Sequence, residues 1–225
     1  MISSNDMVQE MFDYLESVQD KMSQGDEQFY LSLSWQFQNR GPISESQVFY
    51  LEKIYAKYDS EALDKAEQFA ENYSADHRLM ALRCAHYYDS QFPRYYGNIV
   101  DKVLHDPEGH TLNYSEFGKL CENKYAKKIL SSYSSPLKFC TGDMVQIRAN
   151  NRIDLANRGQ TTALVRPRSI TRHVANKACL ILESNSLPIT RAAKGARIYK
   201  VLVIDEASPI YAHESDLKKI RRTKK

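Results

Sequence analysis

The sequence lacks the short motifs that mark many common enzymes. Only 8 glycines occur in 225 residues, and none of them forms a Gly-x-x-x-x-Gly-Lys phosphate loop. The chain also has no Gly-x-Ser-x-Gly nucleophile elbow and no His-Glu-x-x-His zinc motif. These absences remove the most frequent classes of nucleotide-binding enzyme, serine hydrolase and metalloprotease. We therefore expect a protein that is not an enzyme.

Long apolar runs and paired cysteines are also missing. No apolar run approaches the roughly 18–20 residues that a membrane-spanning helix needs. The first ten residues, MISSNDMVQE, lack the basic and apolar regions of a secretory signal. The cysteines show no paired spacing, which favours reduced thiols in a cytoplasmic protein without a membrane partner. They are Cys84, Cys121, Cys140 and Cys179.

Two segments resemble metal sites only superficially. The loop from Asp106 to Phe117 has calcium-loop residue types, but its glycine falls at position four and Phe117 stands at position twelve. An EF-hand loop requires glycine at six and glutamate at twelve. Cys84 and His86 with the distant Cys121 lack the closely spaced ligand pairs of structural zinc sites. We expect neither a metal nor another cofactor.

What the chain does have is a strong division of charge. Residues 1–135 carry 13 Lys+Arg against 21 Asp+Glu, a net charge of −8. Residues 136–225 carry 18 against 7, a net charge of +11. Such an asymmetry is typical of a protein whose basic part contacts nucleic acid or a membrane surface. It predicts two domains, 1–135 and 136–225.

Helical periodicity dominates residues 1–135. Apolar residues recur every three or four positions from Val8 to Met22, and Ser44 with Gln47 forms a capping-box pattern before the next apolar run. Candidate caps at Ser60, Ser74 and Ser115, and a proline at a first helical position (Pro93), indicate further helices. The pattern predicts an acidic all-α domain with helices at about 60–72, 75–89, 93–104 and 115–131. Its many tyrosines favour a packed core, or else a surface that docks a protein partner.

After the serine-rich segment 131–136, which we interpret as a linker, the pattern changes to short β-strands. The alternation around Val145 and Ile147 predicts that these two side chains are buried. Five apolar segments bounded by turn residues indicate a small barrel. The predicted strands are 143–149, 161–166, 177–184, 196–205 and 209–212.

These segments resemble a known group of proteins. The Gly-Asp-x-Val opening at Gly142, the segment KGARIYKVLVI and the closing PIYAHESDLKKI look like the SH3-like barrels of small tailed-phage proteins. The upstream SWQFQNRGPISESQVFYLEKI is similar to a helical module in phage-encoded proteins. The resemblance covers about 110 residues and implies an α+β fold, a helical domain followed by an SH3-like barrel, in a phage-type accessory protein. It carries over no catalytic residue.

Arginine enrichment in the second domain points to a ligand. The guanidinium group binds phosphate bidentately, so this composition predicts contact with the backbone of DNA or RNA, with weak sequence preference because few aromatic residues accompany it. A basic tail strengthens the prediction. The predicted nucleic-acid-binding residues are Arg148, Arg152, Arg158, Arg166, Arg168, Arg172, Lys177, Lys218, Lys219, Arg221 and Arg222.

Three other interpretations stay open. The basic residues can face an acidic protein, which would make the chain a protein–protein interaction adaptor without nucleic-acid contact. They can also pair with the acidic domain of the same chain. Finally, Asp143, Asp205 and Glu206 are candidate carboxylates for an enzyme without a familiar motif, although each lies at an ordinary strand end or turn.

Overall fold

The chain folds into two compact units, residues 1–72 and 73–225. The computed structural model describes residues 4–153 and 167–220. Within those residues, no helix is both long and apolar enough to cross a bilayer. The expected α+β class is confirmed, because helices precede an antiparallel sheet along the chain.

The first unit consists of helices around one apolar core. Val8, Phe12 and Leu15 of the first helix are buried with Leu33 and Leu51, at the spacing expected for amphipathic helices. Helix α4 has no buried residue. The helices are α1 (Ser4–Ser17), α2 (Gln24–Arg40), α3 (Glu45–Tyr58) and α4 (Ser60–Glu71).

Local capping chemistry fixes where α3 and α4 begin. Ser44 accepts the backbone N–H of Gln47, while the Gln47 side chain accepts the N–H of Ser44, so the predicted capping box is confirmed. The predicted cap at Ser60 is wrong. Asp59, one residue earlier, accepts the N–H of Ala62 at 2.7 Å. A carboxylate is at least as good a cap as a hydroxyl, so the cap lies one residue before the predicted one, and α4 begins at Ser60 as expected.

The second unit begins with helices whose starts again depend on caps. Ser74 caps α5 as predicted, with a reciprocal bond to His77. The cap predicted at Ser115 lies instead at Asn113, whose oxygen accepts the N–H of Glu116 at 2.8 Å. Pro93 does not begin a helix, since α6 starts at Gly97. The helices are α5 (Ala75–Asp89), α6 (Gly97–His105), α7 (Tyr114–Phe117, continued by a π-turn over Gly118–Glu122), α8 (Lys124–Ser134) and α9 (Pro167–Val174).

The sheet has five antiparallel strands in the order β4-β3-β2-β1-β5. Four of its strands match predicted segments to within about three residues at each end, and β5 follows a single 3-10 turn, Glu214–Asp216. The strand predicted at 161–166 lies outside the described residues. The strands are β1 (Met144–Ile147), β2 (Ala178–Leu187), β3 (Ile198–Val203), β4 (Ile210–His213) and β5 (Leu217–Lys219).

A tight turn leads into β1 and sets its alternation. Gly142 has φ +92°, a left-handed conformation that glycine adopts without strain, and the Asp143 carboxylate accepts the N–H of Cys140 at 2.8 Å. Val145 and Ile147 are buried, as predicted, in a core shared with Phe139. The side chains that alternate with them therefore lie on the outer face of the sheet.

Helix α8 and the sheet belong to the same compact unit. The buried Arg197, just before β3, donates to the carbonyls of Tyr133, Ser135 and Pro136. The Tyr133 hydroxyl accepts the N–H of Ile189 at 2.9 Å. The serine-rich segment is not a free linker, because 131–134 forms the last turn of α8. The domain boundary at 135/136 stays a prediction, and the compact units themselves divide at 72/73.

Candidate nucleic-acid interface

The charge division coincides with the two compact units. Residues 1–72 carry 5 Lys+Arg against 14 Asp+Glu, a net charge of −9. Residues 73–225 carry 26 against 14, a net charge of +12. The excess of positive charge therefore lies entirely in the unit that contains the sheet.

Two of the predicted basic residues lie together on the outer face of the sheet. Lys218 of β5 is directly opposite Gln146 of β1, and Arg148 continues the alternation of Gln146. The Arg148 Nε donates to the carbonyl of Leu217 at 3.3 Å, which ties the guanidinium beside β5. Within the described part of the chain, neither Arg148 nor Lys218 forms an ion pair.

The backbone under this surface is fixed by a buried carboxyl group. Asp216 is 3% exposed. Its backbone carbonyl accepts the backbone N–H of Arg148 at 2.8 Å, and its side-chain carboxylate accepts the backbone N–H of Arg152. Burial raises the pKa of the Asp216 carboxyl, and the hydrogen bond from Arg152 and the charge of Arg191 oppose that rise. The backbone of Arg152, whose side chain is exposed, is thereby held next to the 3-10 turn that precedes β5.

Lys177 differs from these residues because it is already paired. Its Nζ lies 2.8 Å from the Glu206 carboxylate, which also lies 2.6 Å from Nε2 of His173. The hydrogen bond from Lys177 lowers the pKa of Glu206, so this carboxylate is held ionised. Glu206 thus serves as a partner for two basic side chains. A lysine with a carboxylate partner contributes less to phosphate binding than an unpaired one.

The other predicted residues are distributed along the unit. Arg172 of α9 and Lys219, at the edge of the sheet opposite Val145, are exposed. Arg168 lies in α9, and its side chain is outside what the structure describes. Four more predicted residues fall outside the described residues altogether. These are Arg158, Arg166, Arg221 and Arg222.

A cleft next to the sheet was not predicted from the sequence. It has a volume of about 630 Å³ and lies between the last turns of α8 and the segment before β3. Lys128, Lys194 and the serines at positions 131, 132 and 135 contribute to its walls. The serine-rich segment was visible in the sequence, where we interpreted it as a linker. In the structure it forms one wall of this cleft.

The metal-like segments have other partners. Among the described residues, no group of three or more His, Cys, Asp or Glu side chains is placed to hold a metal ion. The Asp106 carboxylate accepts the N–H of Gly109 at 2.9 Å and closes a turn. Cys84 and Cys121 are buried neighbouring thiols, and the hydrogen bond that the Cys121 thiol donates to Cys84, together with burial, raises the pKa of Cys121. Each segment is accounted for by packing or a turn.

The first unit exposes a cluster of aromatic rings. The Tyr50 ring centroid lies 5.7 Å from that of Phe49 and 6.2 Å from that of Phe29, and Tyr50 and Phe49 are more than half exposed. Lys53 Nζ lies 4.2 Å from the Phe49 ring centroid. Exposed aromatic side chains grouped in this way are typical of protein interfaces.

Comparisons of the chain with protein-family models, with curated proteins and with solved structures found no match. The resemblance to tailed-phage accessory proteins stays a prediction. Function is therefore inferred below from the charges and contacts of this chain alone.

Proposed function

We propose that the protein is a non-enzymatic binding protein whose second unit holds the phosphate backbone of DNA or RNA. The observation that carries the proposal is the +12 net charge of that unit, with Arg148 and Lys218 side by side and unpaired, among the described residues, on the outer face of the sheet. The acidic first unit docks a protein partner. In a phage-infected cell, such a protein would act as an accessory factor in the cytoplasm.

The binding mechanism is neutralisation of phosphates and release of their counterions. Each phosphate that is neutralised contributes about −0.9 to the slope of log affinity against log salt for double-stranded DNA. The guanidinium of Arg148 can bind two phosphate oxygens at once, while Lys218 acts as a point charge. Neither contact reads a base edge, so this surface provides affinity with weak sequence preference.

An SH3-like barrel is the fold we propose for the sheet. Strand β5 returns to pair with β1, and a 3-10 turn connects it to β4. Strand β2 has register shifts between Ile181 and Glu183 and again between Ser184 and Leu187. Such irregularities bend a strand, and bending is what allows a small sheet to curl towards closure.

The exposed aromatic cluster favours the protein-docking role of the first unit. Phe29, Phe49 and Tyr50 provide apolar contact area, and the net charge of −9 favours a basic partner. If the basic residues of the second unit face an acidic protein instead of phosphates, the whole chain is a protein–protein adaptor. This is the second candidate function, and it requires no nucleic acid.

A salt-titrated binding assay tests the proposal. Fluorescence anisotropy of the full chain with labelled single- and double-stranded DNA and RNA gives affinities from 50 to 300 mM salt. The variant Arg148→Ala/Lys218→Ala should lose affinity about tenfold at low salt, with a slope shallower by about 1.4–1.8 for two lost phosphate contacts. The reason is that neither removed charge has a carboxylate partner among the residues that the structure describes.

The matched control removes two cations that already have partners. Lys177 pairs with Glu206 and Lys102 pairs with Glu116 at 3.0 Å, so Lys102→Ala/Lys177→Ala removes the same charge from the same unit. We expect a change of less than about threefold for this control. Equal losses in both variants would contradict a defined surface, and no salt-sensitive binding to any nucleic acid would favour the adaptor.

A further inference from the structure

The second unit contains a tyrosine-lined pocket that the proposed phosphate surface does not use. It has a volume of about 730 Å³, a size typical of small-ligand sites. Its walls come from the end of α5, the segment before α6 and the first turn of α8. The tyrosines that line it are Tyr87, Tyr88, Tyr95, Tyr96 and Tyr125.

The inner wall of the pocket is fixed by packing and hydrogen bonds. Tyr87 and Tyr88 are buried, with ring centroids 4.9 Å apart in an edge-to-face arrangement, and Tyr96 lies 5.1 Å from Tyr88. The Tyr88 hydroxyl donates to the side-chain oxygen of Asn123 at 2.8 Å. That oxygen also accepts the N–H of Tyr125, so the cap of α8 and the pocket wall are one hydrogen-bonded structure.

The outer rings remain open to solvent. Tyr95 is 56% exposed, Tyr125 is 45% exposed and Tyr96 is 39% exposed. If these rings served only the core, packing would cover most of their area. Three half-exposed rings beside a preformed wall instead provide faces on which a planar group can stack.

The charge around the pocket selects the kind of planar group. Lys124 lines the pocket, with Nζ 5.0 Å from the Tyr125 ring centroid. Lys127 and Lys128 follow at three and four positions along α8, which places them on the same side of the helix about one turn away. Lys128 in turn lines the cleft beside the sheet. A row of lysines disfavours a cationic ligand and favours a planar group attached to several negative charges.

We propose that the tyrosine pocket takes an unpaired nucleobase, while Lys124, Lys127 and Lys128 hold the phosphates next to it. This inference rests on the proposed nucleic-acid function and deepens it, because it predicts a preference for single strands. A base inside a duplex has both faces stacked and cannot enter such a pocket without being unpaired. The few aromatic residues of the sheet are thus supplemented by tyrosines from the helices of the same unit.

Matched tyrosine variants of the full chain test this inference. Tyr125→Ala removes a pocket ring, whereas Tyr114→Ala removes a ring of equal exposure, 44%, that does not line the pocket. Anisotropy with a 20-nucleotide oligo-dT strand and a 20-base-pair duplex at 100 mM salt gives both affinities. We expect Tyr125→Ala to weaken single-strand binding at least fivefold and duplex binding less than twofold. This follows from the stacking contribution of about 1–3 kcal/mol per base.

Two controls make the outcome decisive. Tyr125→Phe keeps the ring and should bind the single strand within twofold of the unchanged protein. Circular dichroism and thermal unfolding show that each variant is folded. Cross-linking of a 5-iodouracil single strand, read by mass spectrometry, should label Tyr95 or Tyr125, and labelling confined to other residues would overturn the proposal.

The two proposals fail in different ways. If Tyr125→Ala binds the single strand as well as Tyr114→Ala does, while Arg148→Ala/Lys218→Ala still loses affinity, the pocket proposal is wrong and phosphate binding stands. If the full chain binds no nucleic acid, both are wrong. Binding of a proline-rich peptide that needs Tyr125, without any single-strand preference, would assign the pocket to a protein partner instead.

Discussion

His213, at the end of β4, is a histidine held neutral inside the second unit. It is 2% exposed, and its Nδ1 lies 3.3 Å from the carbonyl oxygen of Ala196. Burial lowers the pKa of His213 to about 4, and the positive charge of Arg191 acts in the same direction. The neighbouring Asp216 carboxyl, whose pKa burial raises, has the opposite effect on stability.

We predict that acid destabilises the protein through His213. Because the folded pKa lies below the unfolded value of about 6.5, the unfolded chain binds the proton first as pH falls from about 6.5 to about 4. The free energy of unfolding should fall by up to about 3 kcal/mol across this window, and the rise in the pKa of Asp216 should offset part of that loss. Urea unfolding at pH 7, 5.5 and 4.5 measures the free energy of unfolding across this window.

Substitutions at two histidines separate this effect from general acid sensitivity. His213→Gln should show a flatter pH dependence than the unchanged protein, since glutamine does not titrate. His105 is exposed, so His105→Gln should follow the unchanged protein across the same pH range. Parallel curves for all three proteins would refute the assignment to His213.

At the scale of elements, one arginine connects the end of α8 to the start of β3. The last carbonyls of a helix lack partners within the helix. Arg197 is 3% exposed, and its terminal nitrogens donate to the carbonyls of Tyr133, Ser135 and Pro136. The guanidinium fork suits three acceptors that lie close together.

We predict that Arg197→Met destabilises the second unit. The three backbone carbonyls that accept from Arg197 would lose buried, charge-assisted hydrogen bonds. The free energy of unfolding should fall by an amount on the order of 2–4 kcal/mol. Urea unfolding followed by circular dichroism measures the loss. Lys200→Met on the half-buried side of β3 is the control, with an expected change below about 1 kcal/mol. A similar small change for Arg197→Met would show that water replaces the arginine at no cost.

Features encoded by neighbouring residues were predicted to within one or two positions, and features that depend on distant residues were not predicted. The capping box at Ser44 and the cap at Ser74 each depend on four consecutive residues, and both predictions are confirmed. The predicted caps at Ser60 and Ser115 are wrong, because Asp59 and Asn113, one and two residues earlier, cap these helices instead. Strand β5 has three residues and depends on pairing with β1, about 70 positions earlier.

The candidate site shows the same difference between local features, which the sequence predicts, and long-range contacts, which it does not. Arginine enrichment identified Arg148 and Arg152, yet the pairing of Lys177 with Glu206 joins residues 29 positions apart. The tyrosine pocket likewise combines residues 87–96 with 123–125, which only tertiary packing brings together. The sequence therefore predicted that the tyrosines pack in a core or form a docking surface, but it contained no information on which of them line the same cavity.

For the whole molecule, the main physical feature is the −9 charge of one unit against the +12 charge of the other. Division of the sequence at 135/136 gave nearly the same contrast, −8 against +11, because residues 73–135 carry 8 Lys+Arg against 7 Asp+Glu and are nearly neutral. Part of the acidic charge forms a row on α4, which has no buried residue. The row consists of the exposed Glu61, Asp64, Glu67 and Glu71.

We predict that neutralising this row strengthens nucleic-acid binding. The variant Glu61→Gln/Asp64→Asn/Glu67→Gln/Glu71→Gln removes four negative charges and the exposed ion pair of Glu61 with Lys65 but changes no buried side chain, so the fold should be retained. Affinity for DNA should rise about two- to fivefold at 50 mM salt, because less negative charge then repels or competes with phosphate. At 300 mM salt the difference should disappear, since screening confines such interactions to within a few ångströms. An increase that persists at 300 mM would indicate close pairing between the acidic row and the basic residues, while an unchanged affinity at 50 mM would show that the first unit has no electrostatic influence on the second.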